Sequence, residues 1–119
     1  MVKTLIVEDN ATFRNTFKEA LCQRFPSMEV EEAVDSDQAL EKVKAFCPRL
    51  IFLDIRIPGE SGLELITKIK STIPGSVIII LTDYDLPEYR EAAKKGGADL
   101  FIPKSSLNMS RLTTYLQSL

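Results

Sequence analysis

Histidine is missing from this 119-residue chain, and cysteine occurs only twice, as Cys22 and Cys47. The first absence excludes Ser-His-Asp and Cys-His nucleophilic catalysis, His-ligated zinc and the commonest general base. The scarcity of cysteine excludes a disulfide framework, and without C-x-x-C or Cys/His spacing the two thiols read as buried or incidental. Long apolar runs are lacking as well. The longest, Val77 to Leu81, falls far short of the ~20 residues a membrane-spanning helix needs, and Met1 is followed by a strand-like run bearing Lys3 instead of a signal peptide. A cytoplasmic protein with no membrane partner is expected. Nor is there surplus positive charge, since 15 Lys and Arg against 17 Asp and Glu leave a net charge of −2, which argues against DNA binding by this chain alone. Its chemistry must rest on carboxylates, hydroxyls and lysine.

What is present is the balance of an ordinary globular protein, 45% apolar and 27% charged, at a length that suits one domain over residues 1–119. Short apolar runs recur at Val2–Val7, Met28–Ala33, Leu50–Leu53, Val77–Leu81 and Leu100–Ile102, with helix-period segments between them. Asn10 is a fitting N-cap for a first helix carrying Phe13, Phe17, Leu21 and Phe25 on one face and ending before Pro26. Ser36 or Asp35 caps a second helix with Ala39, Leu40, Val43 and Phe46, stopped by Pro48. Leu63, Ile66 and Ile69 stripe a third, stopped at Pro74-Gly75. Pro87 suits the first turn of a fourth, which Gly96-Gly97 ends. Leu107, Leu112, Leu116 and Leu119 suggest a fifth, starting near Asn108.

Leu50–Leu53 and Val77–Leu81 are apolar without alternation, as strands buried on both faces of a parallel sheet are, whereas the second run carries Glu29, Glu31 and Glu32 and reads as an edge. Pro103 removes a ladder donor and is best tolerated on the other edge. Strand order 2-1-3-4-5 satisfies both inferences. The fold class is therefore α/β, a flavodoxin-like doubly wound (βα)5 arrangement with a five-stranded parallel sheet, whose ligands bind at the carboxyl ends of the strands. Polar residues stand at those ends: Glu8 and Asp9 after the first strand, Asp54 after the third, Thr82 after the fourth and Lys104 after the fifth. Clustered carboxylates repel one another and call for a cation. An oxygen-only set with few protein ligands suits Mg²⁺, and Lys104 offers a point charge for a phosphoryl group.

These residues, together with Pro58-Gly59 and the stretch Lys95-Gly96-Gly97-Ala98-Asp99, resemble the receiver domain of two-component response regulators over essentially the whole chain. The resemblance implies that Asp54 is the phosphoacceptor for a phosphohistidine on a sensor histidine kinase. It further implies that Glu8, Asp9, Asp54 and the backbone carbonyl of Arg56 hold Mg²⁺, and that Thr82 is the switch hydroxyl and Lys104 the phosphoryl charge partner. Phe101 takes the place of the aromatic that turns inward on activation, and the face of helix four, strand five and helix five is where partners read the state. The product is a switch and not a turnover enzyme. Arg56 and Tyr84 occupy places that tune loss of the phosphoryl group to water, and their bulk predicts slow dephosphorylation. Asp83 stands where the family places a small residue; its carboxylate either hinders phosphodonors or points harmlessly at solvent. The Lys104-Ser105-Ser106-Leu107 run and the short last helix look like receivers joined to helix-turn-helix output domains. Transcriptional control would then reach DNA through an output domain not present in this chain. A homodimer through exposed helix faces is also compatible with the family. The alternative is a pseudo-receiver that binds proteins without being phosphorylated.

A haloacid-dehalogenase-type phosphatase would need a second Asp where Arg56 stands. A flavodoxin would need a hydroxyl- and Gly-rich phosphate loop in place of Glu8-Asp9-Asn10, and the P-loop pattern G-x-x-x-x-G-K-[ST] does not occur.

Overall fold

The computed structural model describes residues 2–119. Five strands alternate with five helices: β1 Lys3–Val7, α1 Ala11–Arg24, β2 Glu29–Ala33, α2 Ser36–Phe46, β3 Leu50–Leu53, α3 Gly62–Thr72, β4 Val77–Thr82, α4 Pro87–Gly96, β5 Leu100–Pro103 and α5 Met109–Gln117. The strands form one parallel sheet in the order β2-β1-β3-β4-β5, as the acidic second run and Pro103 required.

Side chains of the central strands alternate between two buried layers. Leu5, Val7, Ile51, Leu53, Ile78 and Ile80 join Ala39, Val43, Leu65, Ile66, Ile69 and Ala93 of α2, α3 and α4. On the opposite face Ile6, Leu50, Phe52, Ile79 and Leu81 join Phe17 and Leu21 of α1 and Leu112 of α5. Both faces of β3 and β4 are thus apolar, which is why those runs lack polar alternation. Phe17 meets Phe52 edge to face with centroids 4.8 Å apart, while Phe13 stacks on Phe17 from the more open end of α1. At the β2 edge, Glu32 pairs with Arg14 and Lys18 and Glu31 with Lys42, so charge covers a strand side with no neighbour.

The helix signals fall where the sequence puts them, with informative exceptions. Asn10 caps α1 by accepting from the Phe13 amide, Pro87 opens α4, and Gly97 ends it in the left-handed region. Of the two candidates for α2, Asp35 is the cap, accepting from the Gln38 amide, and Ser36 is the first helical residue. The fifth helix is shorter than its leucines suggested. Lys104–Ser106 form a 3₁₀ turn, Leu107 ends that turn, Asn108 caps α5, and Leu119 lies beyond it, 62% exposed. A leucine spacing alone does not distinguish a helix from the turn leading into it.

Register brings the strand ends level. Val7 lies opposite Leu53, Leu53 opposite Ile80, and Thr82 opposite Pro103. The ladder then runs one residue further, with the Glu8 amide donating to the Ala33 carbonyl and the Asp54 amide to the Val7 carbonyl. The residues immediately after β1 and β3 are therefore held as firmly as the strands themselves.

Candidate functional site

Glu8, Asp9, Asp54, Thr82 and Lys104 all stand at the carboxyl edge of the sheet, and most of them are buried there. Glu8 is 2% exposed, Asp54 6% and Thr82 0%, whereas Asp9 faces solvent. One carboxylate oxygen from each of Glu8, Asp9 and Asp54 can be chosen so that all three lie within 4.8 Å of one another. Lys104 reaches back from the turn after β5 and places its ammonium 2.7 Å from Glu8 Oε1 and 3.1 Å from Asp54 Oδ2. Beneath that ammonium lies the Phe13 ring, its centroid 4.4 Å away.

Each buried carboxylate is also held by backbone. The Ile55 amide donates to Asp54 Oδ1 at 2.7 Å, and the Asn10 amide donates to Glu8 Oε2 at 3.0 Å. Burial, with the Asp54 charge adding to it, pushes the Glu8 carboxyl above its ordinary range against the opposing pull of Lys104 and the Asn10 amide. Burial would lower the Lys104 ammonium, but its hydrogen bond to Glu8 and the charges of Asp54 and Glu8 outweigh that and raise it, so the lysine is charged at neutral pH. Three carboxylates against one ammonium leave two negative charges in a space bounded by oxygen atoms. That donor set fits a hard divalent cation such as Mg²⁺.

Thr82 Oγ1 accepts from the Tyr84 amide at 3.2 Å, which fixes the turn that follows β4. Between them, Asp83 is largely exposed to solvent, with one carboxylate oxygen 3.9 Å from the Lys104 ammonium. Arg56 and Tyr84 meet: the guanidinium lies 4.1 Å above the Tyr84 ring and donates to the Tyr89 hydroxyl of α4 at 3.3 Å. Phe101 lies apart from the carboxylates, half-buried in the edge strand, with the Arg90 guanidinium 4.7 Å over its outer face and Arg90 in turn paired to Asp85.

Several residues that shape the site carry no signal as site residues in the sequence. Arg14 donates to the Glu8 carbonyl while pairing with Glu32, tying α1 to the residue after β1. Ser36 fastens the β3–α3 loop: its amide donates to the Pro58 carbonyl and its hydroxyl accepts from the Glu60 amide. Gly59, at φ +89°, passes so close to that hydroxyl that a β-carbon would collide with it. Gly62 opens α3 directly against the Asp54 carbonyl, where again a β-carbon would not fit. Of these, only Gly59 is visible in the sequence, as part of Pro58-Gly59, whereas nothing in the sequence sets Gly62 apart. Phe13 and Arg14 are indistinguishable in sequence from ordinary α1 residues.

Comparison with known proteins places the chain in a family. The family model for the response regulator receiver domain matches residues 4–117. The chain is 36% identical over 106 residues to the oxygen regulatory protein NreC of Staphylococcus epidermidis, a match that covers 88% of this chain and 49% of that protein. It is 33% identical over 102 residues to the chemotaxis protein CheY of Halobacterium salinarum, covering 86% of this chain and 83% of that one. Among solved structures, a response regulator from Burkholderia pseudomallei with a phosphorylated aspartic acid, calcium ion and citrate superposes with a TM-score of 0.86 at 26% identity, over 99% of this chain and 72% of that one. The chain thus spans about half the length of NreC, the first of these relatives.

Proposed function

This chain belongs to the family of response regulator receiver domains, and we propose that within it Asp54 is the phosphoacceptor of a phosphorylation-dependent signalling switch. The observation that carries the residue assignment is the convergence of Glu8 and Asp54 on Lys104, with Asp9 beside them, at the carboxyl edge of the central strands. An Asp54 carboxylate oxygen forms a bond to phosphorus as the P–N bond of a sensor kinase phosphohistidine breaks, its electron pair remaining on the imidazole. The transfer asks for positioning and charge neutralisation more than for proton chemistry, which this histidine-free site is suited to supply. Glu8, Asp9, Asp54 and the Arg56 carbonyl would hold Mg²⁺. When bound, that ion supplies the positive charge that offsets the incoming phosphoryl oxygens.

Lys104 holds its ammonium between Glu8 and Asp54 before transfer and is the fixed charge available to a new phosphoryl oxygen afterwards. Thr82 brings a hydroxyl at the end of the neighbouring strand. Phosphorylation adds roughly one to two negative charges at Asp54, and we assign the response to Thr82 and to the half-buried Phe101, over which a paired Arg90 lies. The α4–β5–α5 face then reports the state. The domain acts stoichiometrically, one phosphoryl group per chain, and is not a turnover enzyme. The interaction-only alternative, in which Asp83 or the loop after β5 disables phosphorylation, is the less favoured reading for a member of this family.

Because NreC is about twice as long as the matched segment, we assign the switch to the control of an output domain in a longer parent protein, with transcription as the controlled step. Among the described residues no helix is long and apolar enough to cross a membrane, and we place the domain in the cytoplasm, where a kinase would reach it. The switch is tested by recording backbone amide spectra with Mg²⁺ before and after adding beryllofluoride, a phosphoryl mimic. Shifts concentrated at Thr82, Phe101 and along α4 and β5 support the reading; a spectrum changed only around Glu8, Asp9 and Asp54 would contradict the switch.

A further inference from the structure

We propose that Asp83 makes the phosphoacceptor site select among phosphodonors by charge, disfavouring dianionic donors more than monoanionic ones. This rests on the reading of Asp54 as phosphoacceptor. Lys104 is almost enclosed, with only 10% of its side chain exposed, and three carboxylates approach it: Glu8 at 2.7 Å and Asp54 at 3.1 Å from within, and Asp83 at 3.9 Å from the solvent side. The Asp83 side chain is 71% exposed, so it stands where the site opens to solvent. The hydrogen bond from the Tyr84 amide to Thr82 Oγ1 fixes the turn on which Asp83 sits. Arg56 stacks on Tyr84 and donates to Tyr89, both neutral, so it keeps its charge, but among the described residues it forms no ion pair with Asp83.

The charge balance is close enough for one carboxylate to matter. With a divalent ion bound, Glu8, Asp9, Asp54 and Lys104 sum to zero, and Asp83 adds a negative charge on the solvent side of Lys104. A phosphoryl oxygen that draws on the Lys104 ammonium comes within about 6 Å of the Asp83 carboxylate. At that distance in a water-like medium, each donor charge slows transfer about 3-fold, and two slow it about 10-fold. Acetyl phosphate is a dianion at neutral pH: Asp54 displaces acetate, which keeps the electron pair of the broken P–O bond. Phosphoramidate carries an ammonium on its phosphoryl group and is a net monoanion: Asp54 displaces ammonia, which keeps the pair of the broken P–N bond. The two donors deliver the same phosphoryl group to the same atom and differ in net charge.

The test is the phosphorylation rate of the wild-type chain and of Asp83→Asn with each donor, followed by intact mass at saturating Mg²⁺ and low ionic strength. Asp83→Asn is expected to speed acetyl phosphate about 10-fold and phosphoramidate about 3-fold, raising the ratio of the two rates about 3-fold. Added KCl should shrink that difference, because the charges are exposed to solvent. An unchanged or lower ratio, whether both rates rise equally or neither moves, would overturn the proposal while leaving the switch reading intact. Wild-type chain that takes phosphate from neither donor would remove both readings at once.

Discussion

Asp9→Asn should stabilise the metal-free protein and abolish its response to Mg²⁺, two effects of opposite consequence from one side chain. Asp9 is the exposed member of a trio whose oxygens lie within 4.8 Å of one another, and Lys104 pairs with the other two. At that separation in a water-like medium each like-charge pair costs about 0.9 kcal/mol, and the Lys104 ammonium between Glu8 and Asp54 offsets roughly one of the two, so Asp9 faces about 0.9 kcal/mol of net repulsion, cut to roughly 0.5 kcal/mol by 0.1 M salt. Removing its charge should therefore raise the melting temperature in chelator by about 2 °C for a domain of this size. Mg²⁺ acts the other way: an ion that binds only the folded chain adds about 1.4 kcal/mol at a tenfold excess over its dissociation constant, and the variant forfeits that gain. Thermal unfolding of both proteins, in chelator and across a Mg²⁺ series, should show the variant above the wild type without metal and overtaken as metal rises. A variant that is less stable in chelator, or one that keeps the full Mg²⁺ response, would refute the assignment of Asp9 to the metal.

Two further perturbations probe neighbouring parts of the account. Gly62→Ala forces a β-carbon into the Asp54 carbonyl, and denaturant unfolding should show a loss of about 1–3 kcal/mol, far outside the range for an exposed first-turn helix position. Arg56→Ala and Tyr84→Ala each remove one half of the stack beside the site, and loss of the phosphoryl group, followed by mass after removal of the donor, should quicken by roughly 3–10-fold in both, with little further gain in the double variant because the two side chains act as a unit. Additive gains would show that they work independently.

The sheet was readable from sequence because its determinants are local and strong. Leu50–Leu53 and Val77–Leu81 can be apolar throughout only between two layers of helices, and Glu29, Glu31 and Glu32 tolerate only an edge. Once the order was known, the residues following each strand had to converge, so Glu8, Asp9, Asp54, Thr82 and Lys104 were legible as a group before any coordinates. What stayed hidden depends on contacts between distant segments. Ser36 and Asp35 both read as caps for α2; Asp35 performs that role, and Ser36 holds the loop after β3. Phe13 reads as a sheet-facing aromatic and does pack on that layer, but its second role, under the Lys104 ammonium, is not visible in sequence. Asp83 could have pointed anywhere, and only the turn set by Thr82 and Tyr84 decides that it comes within 3.9 Å of the Lys104 ammonium. Leu107 and Leu119 kept the helix spacing but fall outside α5, because the 3₁₀ turn and the Asn108 cap set its start and the helix ends at Gln117.

The proposed switch requires that Asp54 accept a phosphoryl group in a metal-dependent reaction. Intact mass spectrometry after incubation with phosphoramidate and Mg²⁺ tests it most directly, run beside an Asp54→Asn variant and a chelated sample. A single phosphoryl increment in the wild-type sample with metal, absent from the other two, is the predicted result. An increment that survives in Asp54→Asn, or one indifferent to chelation, would contradict the account.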